Sequence, residues 1–433
     1  MDQQTTISGI EEQKRRGIRF MISTAKSEKV IWSIVVLLVM VSVLAVYSAT
    51  GSLAYKERAG QTSYYLVRQL LFTLSGIGII YFTHLIHYKW FSRLALWLYI
   101  ISIPMLLFTL VFGTNLNDAS RWITLPVLNL SFQTSDFARL ALFMYLARQL
   151  SRKQDDMDDF KEGYLPLVSP IAITCILIAP ANLSTALLTG LTGMLILFMG
   201  RAKMKFIALT TAVALIPVVI LIIAASIWGG GETKIANNGE VVESIRSTGR
   251  VGTWVNRVHH FLYASETDLP YQVQQANIAI AKGRWIGLGP GNSEQRNFLP
   301  HSYSDFIYAI IIEEYGFIGG ILLLGLYIVF LYRCIRLQRR FPYAFGTFLA
   351  MALSINLVIQ ALVNMGVNVG LLPVTGVTLP LVSMGGTSII FTCLSIGIIL
   401  SVARNLEAGG DTSADNAIDD DEAYADEEEV ANG

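Results

Sequence analysis

Residues 341–403 read FPYAFGTFLAMALSINLVIQALVNMGVNVGLLPVTGVTLPLVSMGGTSIIFTCLSIGIILSVA and contain no Asp, Glu, Lys or Arg. A bilayer core about 30 Å thick takes about 20 apolar residues in a helix, so this run is long enough for two membrane crossings. Other uncharged runs precede it at 30–55, 94–117, 163–200 and 206–231. A soluble helix would repeat its apolar residues at a 3.6-residue period and carry charge along its outer face. Here the charges cluster between the runs instead. The chain of 433 residues is 53% hydrophobic and only 15% charged, with a mean hydropathy of +0.52; a soluble domain usually carries about 25% charged residues. A disordered protein, a nucleic-acid binder and most soluble enzymes are excluded. The expected fold class is all-α, a polytopic transmembrane helical bundle of about ten spans.

Ten helices are expected near 29–50, 65–86, 91–113, 133–150, 165–181, 183–200, 205–228, 305–333, 343–366 and 380–404. The fourth carries Asp136 and Arg139. Ala179-Pro180-Ala181-Asn182 divides the fifth from the sixth, because proline cannot continue an unkinked helix. Basic residues fall on alternate sides. Lys14, Arg15, Arg16, Arg19, Lys26 and Lys29 precede the first helix, and Lys89, Arg93, Arg148, Arg152, Lys153, Lys161, Arg201, Lys203, Lys205, Arg333, Arg336 and Arg404 share its side. The positive-inside rule makes that side cytoplasmic and puts both termini there. The first span reads as an uncleaved signal anchor, since it is as long as a full crossing and others follow.

Three parts result: a basic cytoplasmic segment over 1–29, a membrane domain over 30–404, and an acidic tail over 405–433. Eleven acidic residues and no Lys or Arg lie in 407–433, so the formal net charge of zero hides a membrane part at net +11. The tail is too poor in apolar residues to fold alone and is expected to be disordered. Residues 229–304 form one long outer loop rich in Gly and aromatic residues; loops of this length are usually functional. Cys175, Cys334 and Cys393 lie in apolar runs and imply no disulfide framework.

Charge inside a membrane span is costly and marks a functional site by default. Asp136 and Arg139 are spaced to meet on one helix face. They can neutralise each other for insertion, line a polar cavity for a charged ligand, or do both. Asp305 stands where the long loop enters the eighth helix. Ser302-x-x-Asp305 has the spacing of a capping box, and an acid in a first turn suits the helix dipole. Glu313 lies about 12 Å further along that helix at 1.5 Å per residue, placed for a buried network with a basic residue or for orienting a neighbour.

In order along the chain, several segments resemble the motifs of one family. Tyr47-Ser-Ala-Thr50 is similar to its YSAS, and Ser120-Arg121-Trp122-Ile123 to its RW element. Gln133-Thr-Ser135-Asp136-Phe-Ala-Arg139 resembles QPSExxK. Gly287-Leu-Gly-Pro-Gly-Asn-Ser293 with Gln295-Arg296 and Leu299-Pro300 resembles GxGxS, QK and LP. Ser304-Asp305-Phe306 with Glu313-Glu314 resembles TDF and EE. Pro373-Val-Thr-Gly376, Leu379-Pro380 and Ser383-Met-Gly-Gly386 resemble PxTG, LP and SxGG. These are the SEDS proteins (shape, elongation, division and sporulation), polytopic membrane glycosyltransferases of bacterial cell-wall synthesis. The resemblance covers most of 30–404. It departs at Thr134, Asp136 and Arg139, where the family has Pro, Glu and Lys, and at His301. The PDxGT motif appears as Pro180-Ala-Asn182-Leu-Ser184-Thr185 without its acid, so Asn182 is not carried over. The GPGNS and SDF segments are closer to the division type than to the elongation type.

The resemblance implies polymerisation of lipid II, with undecaprenyl pyrophosphate leaving and the anomeric centre inverting. Asp305, aligned with the family's essential acid, is the expected base. Arg121, Gln133, Ser135, Asp136, Arg139 and Arg296 are the expected substrate-binding residues, with Arg250, Arg257, Lys282 and Arg284 in reserve for the pyrophosphate. Arginine forks suit phosphate oxygens. Glu313, Glu314 and Ser383 are expected to support the site. A divalent cation, Mg or Mn, would be able to share the leaving-group charge, but no metal-ligand spacing is present. The implied partners are lipid II, a class B penicillin-binding protein acting as transpeptidase, other division membrane proteins and membrane lipid, with no nucleic acid. The implied location is the bacterial cytoplasmic (inner) membrane, at the septum. A lipid II flippase, an elongation-type polymerase and a non-catalytic division scaffold are the competing readings.

Overall fold

The computed structural model describes residues 29–51, 53, 62–116, 119–125, 130–154, 156–228, 250–263, 269–338 and 344–408. The basic segment before residue 29 and the acidic tail beyond 408 lie outside them, as do the expectations attached to both. Ten long helices stand where the apolar runs placed them: α1 Lys29–Ala49, α2 Thr62–Leu85, α3 Tyr88–Phe112, α4 Thr134–Arg152, α5 Leu165–Ile178, α6 Leu183–Met199 and α7 Met204–Trp228, then, beyond the outer segment, α10 Ile307–Gln338, α11 Ala344–Asn368 and α12 Thr387–Ala408. Among the described residues, eight helical stretches are long and apolar enough to cross a membrane.

The two others deviate for physical reasons. The α6 helix is apolar but only 17 residues long. Asn182 caps its start by accepting from the Thr185 amide at 3.3 Å, so the Pro180 turn is a tight hairpin. The α4 helix carries too much charge for lipid, yet Leu142, Phe143, Leu146 and Ala147 on it are fully buried. It packs against α3, α5 and α11, and those helices shield its polar groups from the hydrocarbon. The reverse holds for α7, whose Leu209, Val213, Ile216 and Ile220 are exposed; such a surface belongs against lipid.

Two features go beyond the expectations. The stretch before α4 is regular. It folds as an antiparallel three-stranded sheet of β1 Thr114–Leu116, β2 Ala119–Leu125 and β3 Leu130–Gln133 in the order β1-β2-β3. The outer segment 229–304 is not a plain loop, for it contains α8 Arg250–Tyr263 and α9 Tyr271–Gly283.

At one end of the bundle the basic residues hold neighbouring chain segments. Lys203 Nζ donates to Asp158 O at 2.9 Å, Lys153 Nζ to Glu162 O at 2.5 Å, and Arg404 Nη1 to Leu85 O at 3.1 Å. The opposite end carries the sheet, α8, α9 and the irregular stretches 284–306 and 369–386.

The α10 helix is interrupted. Gly316 adopts φ 72° and ψ −176°, leaving the helical region. The loop after α9 closes onto the gap: Leu288 and Gly289 amides donate to the Glu313 and Glu314 carbonyls at 2.9 Å each, and the Phe317 amide donates to Arg284 O at 2.8 Å. Gly287, at φ 86°, faces Gly316 across this seam. A Cβ on Gly316 would come within 2.2 Å of Trp285 O. Gly316→Ala is therefore expected to cost roughly 1–3 kcal/mol for the backbone conformation alone, and more for the clash. A fall in melting temperature in detergent checks this.

Candidate functional site

The sheet joins two of the motifs. In the β2–β3 pairing Trp122 lies opposite Gln133, so Ser120-Arg121-Trp122 runs beside the start of α4. Arg121 lies on β2, and its side chain is outside the described residues. Gln133 directly precedes α4, with its Nε2 donating to Ser135 Oγ at 2.9 Å. Thr134 takes the first helical position. Proline suits that position because its missing amide would have no intrahelical acceptor. The departure from the family's proline thus costs little backbone geometry.

Arg139 lies in the bundle core. Its Nη2 donates to Asn356 Oδ1 at 2.6 Å and to Gln360 Oε1 at 2.9 Å. Asp136 is further off, at 3.7 Å from Nη1, so the tight bonds go to neutral carboxamides rather than to the acid. Both side chains are nearly buried, 6% exposed for Arg139 and 12% for Asp136. Only a small cavity of about 20 Å³ opens beside them. This geometry neutralises charge and locks α4 to α11.

The α11 helix carries a feature the sequence reading overlooked. Asn356, Gln360, Asn364 and Asn368 recur at every fourth residue and so form one stripe, all but fully buried. Gln360 Nε2 donates to Thr378 O at 3.0 Å, and Asn364 Nδ2 to Val377 O at 2.7 Å and Asp305 O at 2.9 Å. Asn368 Nδ2 also reaches Asp305 O, at 2.9 Å. The stripe runs from Arg139 to Asp305. Four carboxamides at i, i+4 spacing in an otherwise apolar span were the available signal.

Glu313 and Glu314 are buried, at 0% and 1% exposure. Glu313 accepts from the Ser293 hydroxyl and from the Glu294 and Gln295 amides, both at 3.2 Å. Its network is therefore with amides and a serine rather than the basic residue considered from spacing. Glu314 accepts from the Ser48 hydroxyl at the end of α1. Arg296 Nη1 donates to Ser48 Oγ at 3.1 Å and Gly291 O at 2.9 Å. The pair of acids and Arg296 together tie α1, the glycine-rich loop and α10 into one block. Of the reserve cations, Lys282 pairs with Glu294 at 2.5 Å on the surface. That pairing holds the Glu294 carboxyl below the usual carboxylate range.

Asp305 does not sit in a first helical turn, because α10 begins at Ile307. The capping box is not formed; the Ser302 hydroxyl donates instead to Ala49 O at 3.2 Å. Donors from the 369–386 stretch and α11 hold this segment. Met384 N reaches Tyr303 O at 2.9 Å, and Ser383 Oγ donates to Ser304 O at 2.6 Å while accepting from Leu379 N at 2.8 Å. Ser383 thus acts as a clasp beneath the Asp305 segment. The Asp305 side chain is half-buried and lies in the electrostatic field of Arg257 on α8. Protein around Arg257 pulls its guanidinium below the ordinary arginine value, and the Asp305 carboxylate opposes that pull. It stays cationic at working pH. Arg257 also donates to Val374 O at 3.3 Å and lines a cavity of about 410 Å³ with Asn256, His260, Gln272, Asn277 and Pro373.

The structure therefore separates the expected site residues into three groups. Gln133, Ser135, Asp136 and Arg139 cluster around the start of α4. Arg296, Glu313 and Glu314 brace the outer loop. Asp305 follows Ser304, whose carbonyl Ser383 holds, and lies in the field of the reserve cation Arg257. Among the described residues, no three His, Cys, Asp or Glu side chains cluster as a metal site would require.

Residues 28–408 match the family model described as cell cycle protein, FtsW/RodA/SpoVE. The chain is 30% identical over 397 residues to the probable peptidoglycan glycosyltransferase FtsW of Trichlorobacter lovleyi, covering 90% of this chain and 97% of that one. It is 30% identical over 377 residues to the stage V sporulation protein E of Bacillus subtilis, covering 86% and 95%. Among solved structures, it matches the rod shape determining protein RodA of Thermus thermophilus with a TM-score of 0.58 at 24% identity, covering 86% and 96%. A chain from a structure described as the structural coordination of polymerization and crosslinking by a peptidoglycan synthase complex matches with a TM-score of 0.64 at 24% identity, covering 87% and 98%. The matched region runs from α1 to the end of α12 and takes in every motif quoted above, so the chain belongs to the FtsW/RodA/SpoVE family of multi-pass membrane proteins, the SEDS family.

Proposed function

We propose that this protein is a peptidoglycan glycosyltransferase that polymerises lipid II into glycan strands. The observation that carries the reading is one half-buried carboxylate, Asp305, in the electrostatic field of one arginine, Arg257, which lines a cavity of about 410 Å³. Glycosyl transfer from a pyrophosphoryl lipid needs a base for the attacking sugar hydroxyl and a cation for the departing pyrophosphate. Asp305 supplies the first. Arg257 supplies the second because it lines the cavity, whereas Arg139 is buried against Asn356 and Gln360 and Arg296 is bonded to Ser48 and Gly291. Inversion follows from attack opposite the leaving group. The exposed flank of α7 gives the polyprenyl chain of a bound substrate an apolar surface to lie against while its sugars reach the cavity.

The division names of the similar proteins favour a septal role at the bacterial inner membrane over an elongation role. A class B penicillin-binding protein is the proposed partner, in keeping with the coupled polymerisation and crosslinking of the similar complex. A divalent cation, if needed, would enter with the pyrophosphate.

The test is a gel assay of fluorescent lipid II with the full chain and its cognate transpeptidase in liposomes. A ladder of glycan strands is expected; its absence from a folded, cation-supplied complex would transfer the reading to flippase or scaffold. Arg257→Ala is expected to raise KM for lipid II about 10- to 100-fold, the worth of one charge-assisted contact at roughly 1.5–3 kcal/mol. A titration of lipid II against initial rate measures it.

A further inference from the structure

The bonds around Asp305 have an unusual order. In a continuing helix the carbonyl of residue 305 would accept from the amide of residue 309. Here the Asn368 side chain stands between the two. Its Nδ2 donates to Asp305 O at 2.9 Å, and its Oδ1 accepts from the Ala309 amide at 3.0 Å. One carboxamide thus fills the place of one helical hydrogen bond, bonding both groups, while the Ala309 amide also reaches Phe306 O at 3.2 Å. Asn364 adds a second donor to the same carbonyl at 2.9 Å. Asn368 Nδ2 is itself oriented by Asn364 O at 2.9 Å. Asn364 and Asn368 are 1% exposed, so none of these bonds competes with bulk water.

We infer that Asn368, steadied by Asn364, is a positioning residue that keeps Asp305 out of the α10 helix and so sets the direction of its carboxylate. The inference rests on Asp305 being the base. Its physical content is a choice between two backbone states. With the carboxamide inserted, α10 starts at Ile307 and Asp305 lies ahead of it. With the carboxamide removed, the carbonyl of Asp305 keeps only Asn364 and the amide of Ala309 only its longer bond to Phe306 O at 3.2 Å, and the helix gains a bond between the two by extending through 305. Each helical residue turns the side-chain direction by about 100°, so extension would re-aim the carboxylate. The bonds lost with the carboxamide, replaced by one helical bond, drive the closure. The other three contacts on this segment, from Ser302, Ser383 and Met384, keep the preceding turn in place but do not touch the 305–309 pair.

The experiment uses full-length protein with its transpeptidase partner. It compares Asn368→Asp, Asn368→Ala and Asp305→Asn with wild type. Asn368→Asp is isosteric and keeps an acceptor for Ala309, but replaces the donor facing two carbonyls with an oxygen. For both Asn368 variants we expect kcat for lipid II polymerisation to fall at least about 10-fold, with KM within about twofold. The acidic limb of the pH–rate profile should also shift, because the carboxylate is re-aimed into different surroundings. An unchanged kcat, or a fall that follows the folded fraction with an unmoved pH profile, overturns the inference. A fully active Asp305→Asn overturns the base assignment itself and is read independently of the Asn368 variants.

Discussion

Asp305→Asn is expected to reduce lipid II polymerisation by about 10²- to 10⁴-fold, the usual worth of a positioned general base. The substitution keeps the size and leaves every backbone bond that holds the segment, since those run through the carbonyls of Tyr303, Ser304 and Asp305. Folding, assembly with the transpeptidase and lipid II binding should therefore survive. Rate measured against lipid II concentration separates the outcomes: kcat falls while KM moves little. Asp305→Glu should recover part of the rate, since it restores a base one methylene out of place. A wild-type rate from Asp305→Asn would remove the residue from the chemistry. The sign of the pH effect follows from the same assignment. A carboxylate base must be ionised, so activity falls as pH drops through its folded pKa.

Arg139→Ala is expected to have the largest effect on stability, about 3–5 kcal/mol. The loss leaves the Asn356 and Gln360 oxygens without their donor and strands the Asp136 carboxylate in a buried site. Asp136→Asn should cost clearly less. The acid stands 3.7 Å from the guanidinium, whereas the carboxamides are bonded at 2.6 and 2.9 Å, and Ser388 hydrogen-bonds the Asp136 side chain in any case. Thermal inactivation of the purified proteins in one detergent gives the ranking. Equal losses in the two variants would mean that the ion pair, rather than the carboxamide contacts, carries the site.

The spans were legible because hydrocarbon imposes a strong rule: an uncharged run of the right length has few alternatives to a helix. That rule places α1, α11 and α12 within a few residues except where the chain is irregular, as at Pro380–Gly386, which reads as apolar but forms turns ahead of α12. It also explains α4, whose charges are tolerated because its neighbours hide them. The sheet at 114–133 was not legible, since its strands are short and their polar content resembles a loop. The helices α8 and α9 were missed for a related reason: amphipathic segments of 14 and 13 residues fall below the length at which membrane hydropathy speaks. Asp305 as the base came from the motif resemblance; spacing alone left a helix cap open beside a functional role, and the cap is not formed. The residues that hold it, Asn364 and Asn368, are distant in sequence. Their four-residue spacing was visible, but the partner carbonyl was not, because a backbone carbonyl leaves no trace in the amino-acid sequence.

The seam between Gly287 and Gly316 has a consequence for how the chain can vary in length. Arg284 through Gly289 and Glu313 through Ile318 are hydrogen-bonded to each other through main-chain atoms, while the glutamates on one side reach over to anchor Ser293 through Gln295 on the other. Both ends of the stretch 290–312 are thus fastened to the same short piece of α10. Adding or deleting a residue there would slide one glycine off its partner and put a side chain where only hydrogen fits. Length variation within this architecture therefore has almost no room between α9 and the middle of α10.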